Sequence, residues 1–328
     1  MVHLPDKSIL DTIGNTPLVK LQKMSPNPLV DIFVKLESFS PGASIKDRIV
    51  KFIIEDAEKT GKLKKGGVII ENTSGNTGAA AAMIAAIKGY RCILTMPDKV
   101  SLEKQNALQA FGAEIIICPT SAAPGSKEHY VEKAKEIAAK TPLSFRINQY
   151  DNPLNPLAHY LSTGPEIWKQ MEGNIDYFVA AASTGGTISG TSRYLKEQDP
   201  TIKVIMPDPV GSIFAEYFRT KKIPEGGSCT YFVEGIGEDH LTQAMDFDLV
   251  DDVIQVNDSK SFQAARRLAR EEGILAGGSS GSNLFACLEI AQKATERTRI
   301  VTILPDSGLK YLSKIFDDEW MLKNHLMQ

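Results

Sequence analysis

The chain has 328 residues, of which 42% are apolar and 23% charged, and its formal net charge is −3. This length favours two domains over one core, and the charge balance argues against a nucleic-acid-binding or membrane-surface protein. The longest apolar stretch, "GAAAAMIAAI", is too short to span a membrane, and the first residues lack a secretory pattern, so we expect a cytoplasmic protein.

Strand-like apolar runs alternate with helical patterns from about residue 30 to 310. The runs are "GVIIEN", "RCILTMP", "AEIIICP", "DYFVAAAS", "IKVIMPDP" and "RIVTILPDS". Continuous apolar strands between helices are typical of parallel sheets covered on both faces. We therefore predict an α/β fold with two doubly wound domains, each of three layers, and a ligand cleft between them.

The first strong helical pattern follows "ASIKDR" (43–48) and ends near Gly61. It places Lys46 in the first turn, where the helix dipole disfavours a cation. In such a place the neutral, nucleophilic amine is favoured. Taken alone, this pattern favours an ordinary surface lysine at Lys46, and only its combination with the loops described next reverses that interpretation.

Three strand-to-helix junctions are rich in Gly, Ser and Thr: "ENTSGNTG" (71–78), "ASTGGTISG" (182–190) and "LAGGSSGSN" (275–283). Backbone N–H groups and the helix dipole make such junctions anion receptors. The second is neither a Walker loop nor a G-x-G-x-x-G motif, so it would hold a phosphate without transferring it. Each junction, taken alone, is also compatible with a glycine turn that binds nothing.

The combination of a neutral lysine, a phosphate cradle and a carboxylate receptor suits pyridoxal phosphate and an amino-acid substrate. The four cysteines and five histidines are scattered, so no metal site is expected. Cys92 and Cys118 lie within strand-like runs and are expected to be buried apolar residues.

At these residues the sequence resembles the cysteine synthase and cystathionine β-synthase family, fold type II pyridoxal-phosphate enzymes related to the tryptophan synthase β chain. The resemblance extends in order over eight motifs: "IGNTPLV" (13–19), "ASIKDR", "TSGNTG" (73–78), "HYLSTGPEIW" (159–168), "TGGTISG" (184–190), "EGIG" (234–237), "GGSSGS" (277–282) and "LPDSG" (304–308).

The resemblance implies a role for each matching position. Lys46 would bind the cofactor as a Schiff base and move the Cα proton, Asn76 would contact the ring hydroxyl, and Ser279 would face the pyridine nitrogen. The phosphate cup would be Ser183, Thr184, Gly185, Gly186 and Thr187. The substrate carboxylate would be bound by Thr73, Ser74, Thr77 and Gln149, with Tyr150 near it. Supporting roles would fall to Gly235, Gly237, Glu238, Asp306 and Ser307, although Asp306 and Ser307 are equally suited to capping a strand end.

A neutral hydroxyl at Ser279 weakens the electron sink, so loss of a β-substituent to give an α-aminoacrylate is favoured over transamination. Residues 148–160, "VEGIGEDH" (233–240) and the tail 313–322 are more similar to cystathionine β-synthases than to sulfhydrylases, which usually carry Ile at Gly278. We therefore favour L-serine plus L-homocysteine giving cystathionine and water. Alternatives are a cysteine synthase using O-acetylserine or O-phosphoserine with sulfide, a dehydratase, and a non-catalytic binding protein.

The resemblance further implies a smaller, mobile domain at 41–148, a larger domain at 1–40 plus 149–328, and a homodimer. An acetyltransferase would be a partner if the protein is a cysteine synthase. Neither a haem-binding segment nor adenosyl-binding regulatory modules are expected. Glu238 stands where synthases commonly have tyrosine, and Ser183 where glycine is usual, so both positions are departures from the family pattern.

Overall fold

A computed structural model describes residues 8–73, 75–98, 100–123 and 125–327, apart from the side chain of Glu103. The strands are β1 (Leu18–Lys20), β2 (Val30–Leu36), β3 (Val68–Asn72), β4 (Arg91–Pro97), β5 (Glu114–Cys118), β6 (Ser144–Arg146), β7 (Tyr177–Val179), β8 (Lys203–Pro209), β9 (Asp252–Val256) and β10 (Thr298–Leu304). The predicted apolar strands all form, and the α/β prediction is confirmed.

The helices are α1 (Lys46–Lys59), α2 (Asn76–Lys88), α3 (Leu102–Ala110), α4 (Tyr130–Lys140), α5 (Leu154–Leu161), α6 (Thr163–Gln170), α7 (Gly186–Gln198), α8 (Phe214–Thr220), α9 (Asp258–Glu272), α10 (Gly278–Lys293) and α11 (Asp318–Lys323). Short 3₁₀ turns cover Ile9–Thr12, Glu37–Phe39, Phe247–Leu249 and Gly308–Tyr311. Within the described ranges, no helix is both long and apolar enough to cross a membrane.

The chain divides into two compact units. Unit 1 comprises Met1–Ile13 and Ser40–Leu154, and unit 2 comprises Gly14–Phe39 and Asn155–Gln328. Among the described residues, each unit contains one sheet.

Unit 1 contains a four-stranded parallel sheet in the order β5-β4-β3-β6. The chain moves outward from β3 through β4 to β5 and then returns to the other side of β3. Because crossovers are right-handed, this reversal is expected to place helices on both faces of the sheet. The loops after β3 and β6 flank the switch point, where ligands bind in such sheets.

Unit 2 contains a six-stranded sheet in the order β1-β2-β10-β7-β8-β9. Only β1, at the edge, runs antiparallel to its neighbour among these six strands. The strand order reverses between β7 and β10, so the switch point lies at the carboxyl ends of these two strands. Apolar residues of β2, β10 and α10 form the main core of this unit.

Local sequence signals agree with this structure. The apolar segment of α2 is buried along most of its length. The Ser101 hydroxyl caps α3, which ends just before left-handed Gly112. Cys92 and Cys118 are buried, as predicted.

Candidate active site

The first half-site lies in unit 1, where the loop after β3 leads into α2. The Thr73 hydroxyl accepts hydrogen bonds from the backbone N–H groups of Gly75 and Gly78, each at 3.1 Å. These bonds occupy its oxygen, and among the described residues its own proton has no acceptor. Thr73 is only 4% exposed, and the residue that precedes α2, Gly75, has no side chain with which to cap the helix. A buried hydroxyl proton beside a helix N-terminus is an anion receptor.

Gln149, in the loop after β6, joins this half-site. Its side-chain oxygen accepts a hydrogen bond of 2.6 Å from the Thr77 hydroxyl, and both residues are buried. The neighbouring Tyr150 and the first residue of α2, Asn76, are half-buried. The structure therefore brings five predicted residues to one switch point: Thr73, Asn76, Thr77, Gln149 and Tyr150. The sixth, Ser74, lies outside the described residues.

Lys46 is the first residue of α1 and is half-buried. The turn before it contains Ala43 at φ +55°, a backbone conformation that L-residues other than Asn and Asp rarely adopt. The Gly42 N–H donates a 2.6 Å hydrogen bond to the Asp47 carboxylate, and a Cβ on Gly42 would lie 2.3 Å from that group. Asp47 is fully buried, so the turn encloses a carboxylate at the helix N-terminus beside Lys46.

The second half-site lies in unit 2, where the loop after β7 leads into α7. Gly185 precedes the helix at φ +84°, and no side chain caps the first turn. The N–H groups of that turn have no partner within the helix. A Cβ on Gly185 would lie 2.4 Å from that of Met245, and one on Gly186 would lie 1.9 Å from the Asn155 oxygen. Packing alone therefore requires both glycines.

Two residues of α5, Asn155 and His159, and one of a later loop, Thr242, form hydrogen bonds to this cup. None of them lies in a glycine-rich junction. The Asn155 amide donates to the Thr184 hydroxyl at 3.0 Å, and the Thr242 hydroxyl donates to the Thr184 carbonyl at 2.8 Å. His159 Nε2 lies 3.2 Å from the Thr187 hydroxyl. The signal for the α5 pair was available, since Asn155 and His159 are polar, four residues apart and on one helix face.

Ser279 is the second residue of α10 and is 4% exposed. A bridge between Ala276 and Ser307 holds the start of α10 at the carboxyl end of β10, the neighbour of β7. Asn283, one turn further along α10, accepts from the Ala181 N–H at 2.8 Å and donates to the Ile303 carbonyl at 2.7 Å. Ser279 and the cup therefore share one sheet edge.

Asp306 and Ser307, in the "LPDSG" segment, form hydrogen bonds to the residues before α10 and to the 3₁₀ turn that follows the segment. The Asp306 carbonyl accepts from the Gly277 N–H at 3.3 Å, and its carboxylate accepts from the Tyr311 hydroxyl at 2.7 Å. Burial is the main reason that the pKa of Tyr311 is raised well above its ordinary value. The Ser307 hydroxyl accepts from the Leu309 N–H at 3.3 Å and caps the 3₁₀ turn that follows.

The two departures from the family pattern contact each other. The Ser183 hydroxyl donates to the Glu238 carboxylate at 2.5 Å. The Gly237 N–H donates to the Ala182 carbonyl at 2.7 Å, and Gly235 and Gly237 both have positive φ. The 234–238 loop is thereby attached to the cup. Glu238, Asp239 and His240 also bring potential metal-ligand atoms within 4.8 Å of one another, but Asp239 and His240 are exposed.

Gly278 is the position at which synthases and sulfhydrylases are expected to differ. Other side chains already fill the space beside its Cα, where a side chain would lie. A Cβ there would lie 2.7 Å from the ring of Phe262 and 3.4 Å from Val233. Phe262 is 1% exposed. An isoleucine at this position would therefore require Phe262 to move.

The family described as pyridoxal-phosphate dependent enzyme matches residues 9–306. Cystathionine beta-synthase of Apis mellifera is 47% identical over 327 residues, and that of Saccharomyces cerevisiae is 45% identical over 331 residues. These alignments cover 99% and 97% of this chain but only 64% of each relative, so the chain spans less than two thirds of their length.

Two solved structures are also similar. The O-ureido-L-serine synthase structure has a TM-score of 0.88 at 35% identity, covering 98% of this chain and 100% of that one. The O-acetylserine dependent cystathionine beta-synthase from Helicobacter pylori has a TM-score of 0.86 at 37% identity, covering 95% and 99%. The chain therefore belongs to the family of pyridoxal-phosphate dependent enzymes.

Proposed function

We propose that this protein catalyses β-replacement on L-serine with L-homocysteine, giving cystathionine and water. The observation that carries this proposal is the 45–47% identity, over nearly the whole chain, to proteins named cystathionine beta-synthase. O-acetylserine as the donor is the second candidate, because a structural neighbour is named for its dependence on that compound.

The residues present fit pyridoxal phosphate. The uncapped N-terminus of α7 after left-handed Gly185 offers backbone N–H groups to a phosphate. On the same sheet edge, Ser279 offers a neutral hydroxyl to a pyridine nitrogen. When bound, the cofactor supplies the electron sink that lets the substrate lose its Cα proton and then its β-substituent.

The roles of the protein groups follow from their chemistry. In this proposal, the Lys46 amine removes the proton from Cα of the substrate and holds it for return after the thiol has added. The Thr73 hydroxyl and the N-terminus of α2 bind the α-carboxylate, with the Gln149 carboxamide beside them. Ser279 does not protonate the pyridine nitrogen, which favours elimination at Cβ.

A donor and acceptor matrix tests the proposal. The purified protein with pyridoxal phosphate is given serine or O-acetylserine, each with homocysteine or with sulfide, and the products are identified by mass spectrometry. Cystathionine formed from serine supports the proposal. Cysteine formed from O-acetylserine and sulfide, with no cystathionine from either donor, would instead assign a cysteine synthase.

Replacement of the lysine tests the mechanism separately. Lys46→Ala is expected to abolish product formation while the protein still folds, because the amine that moves the Cα proton is gone. Lys51→Ala, in the next turn of the same helix, is the control, because Lys51 forms an ion pair with Glu55 near the surface. Turnover retained by Lys46→Ala would contradict the assignment of the base.

We further propose a homodimer in the cytoplasm, with an acetyltransferase as a partner only if O-acetylserine is the donor. The exposed Leu157 and Leu161, four residues apart on α5, are apolar positions that a second subunit could cover. Light scattering of the purified protein tests the dimer, and a monomer at micromolar concentration would contradict it.

A further inference from the structure

A carboxylate lies buried directly beneath the first half-site. Glu71 is in β3, two residues before Thr73, and its side chain is 0% exposed. A buried carboxylate costs free energy unless hydrogen bonds compensate it. Glu71 is the first residue of the "ENTSGNTG" segment, and no local pattern in the sequence indicates a role for it.

The hydrogen bond of Glu71 is directed at the Gln149 loop. One of its oxygens accepts from the Asn148 N–H at 2.9 Å, across 77 positions of sequence. Among the described residues its other oxygen makes no hydrogen bond. Glu71 therefore connects the strand that leads to Thr73 with the residue immediately before Gln149.

The loop that Glu71 holds has an unusual backbone conformation. Asn148 has φ +52°, in the left-handed region that asparagine tolerates better than most residues. Its carbonyl accepts from the N–H groups of Asp151 and Asn152, and the Asn152 side chain donates to the Ile147 carbonyl at 2.8 Å. This tight turn fixes the backbone position of Gln149. The side-chain oxygen of Gln149 in turn accepts a hydrogen bond from the Thr77 hydroxyl.

We propose that Glu71 is a positioning residue: its carboxylate holds the Asn148 turn so that Gln149 and Thr77 remain aligned to bind the substrate carboxylate. This inference rests on the proposed function for the substrate. The hydrogen bond that it invokes is charge-assisted and is therefore stronger when Glu71 is ionised.

The ionisation of Glu71 can change near neutral pH. Burial raises its pKa to about 7, against the opposing effects of the Asn148 N–H, the Arg146 charge and the Gln149 and Ile147 N–H groups. On neighbouring β4, Cys92 remains a neutral thiol because burial raises its pKa to about 12.

The helices packed on β3 add little charge near Glu71. Along α2 the sequence has no charged residue before Lys88, and the charged side chains of α4 pair with one another at the surface. Protonation of Glu71 below pH 7 therefore weakens its bond to Asn148. We expect the affinity for an amino-acid substrate to fall in the same range.

The test measures L-serine binding from the visible absorption of the protein with bound pyridoxal phosphate, between pH 6 and pH 8.5. The titration of serine's own amine raises the Kd at low pH in every variant, so the comparison is between variants. On going from pH 8.5 to pH 6 the wild-type Kd should rise about five- to tenfold more than that of Glu71→Gln, whose Kd should already be raised by a similar factor at pH 8.5. The effect should appear in KM, with kcat changed by less than about threefold.

Two further variants complete the design. Glu58→Gln is the control, since it removes a half-buried carboxylate of the same unit that is bonded instead to Lys88 and Tyr90, and its Kd should follow the wild type. Glu71→Asp retains a titrating charge and should retain a pH dependence, so it serves if Glu71→Gln does not fold. Hydrogen exchange at residues 147–150 should become faster in Glu71→Gln.

The outcomes separate this inference from the proposed function. Serine binding and its pH dependence unchanged in Glu71→Gln would overturn the role of Glu71, even if cystathionine is formed. Serine binding that changes as expected, without any β-replacement product, would support Glu71 and reject the proposed reaction.

Discussion

Asn283 connects the two strands whose ends form the second half-site, and its replacement gives a quantitative prediction. Asn283→Leu removes the acceptor of the Ala181 N–H and the donor to the Ile303 carbonyl. Asn283 is 1% exposed, so the Ile303 carbonyl would remain buried, and the Ala181 N–H partly buried, without these partners, at roughly 1–3 kcal/mol each. Leucine returns roughly 1 kcal/mol through apolar burial, so we expect a loss of about 3 kcal/mol.

The assay is urea denaturation with saturating pyridoxal phosphate, in which the midpoint should fall while the slope is unchanged. The matched control is Asn174→Leu, since the Asn174 side chain also makes two hydrogen bonds to the backbone but is exposed; both are donated, to the carbonyls of Met171 and Glu172. The control should lose less than about 1 kcal/mol because water replaces the lost bonds. A loss below about 1 kcal/mol in Asn283→Leu itself would refute the reasoning.

Three further predictions concern stability, each measured as a shift in the denaturation midpoint. Ala43→Gly should stabilise by roughly 0.5–1 kcal/mol, because relief of the left-handed conformation exceeds the entropy that glycine adds to the unfolded chain; destabilisation would contradict this. Gly281→Ala should cost about 3 kcal/mol, because its Cβ would lie 1.8 Å from the Ser261 carbonyl; a neutral effect would mean that the helices separate easily. Lys35→Met should cost roughly 3–5 kcal/mol by removing the 2.8 Å ion pair with Glu166 and the hydrogen bonds to the Thr16 carbonyl and Gln170, and adding Glu166→Gln should recover part of the loss; no recovery would exclude the ion pair as a cause.

The strands, the glycine-rich junctions and the α/β class could be predicted from the sequence, because local periodicity and composition determine them. The sequence was not sufficient to predict the groups that hold the junctions in place. Asn283 and Ala181 are 102 positions apart, and Glu71 and Asn148 are 77 apart. Such pairings depend on strand order, which no local pattern contains. The left-handed conformation of Ala43 likewise has no signal in the letters "GAS".

The reason for the glycines was also only partly predictable. The sequence indicated only that such glycine-rich junctions suit an anion held by backbone N–H groups. In the structure, side chains of the protein itself already occupy the space beside Gly185, Gly186 and Gly278. Neighbours distant in sequence, Met245, Asn155 and Phe262, supply those side chains, so only the fold reveals this second constraint.

The crowding beside these glycines affects how homologues that have lost catalytic activity should be recognised from their sequences. A descendant that had lost all turnover would still have to keep Gly185 and Gly186, since any larger residue would collide with Met245 or Asn155. Conservation of these two glycines therefore indicates that the loop folds, and it gives little information on whether the protein is still catalytically active. Under the proposed mechanism Lys46 is the better marker of a working enzyme, because a non-catalytic descendant could replace a half-buried amine at smaller structural cost.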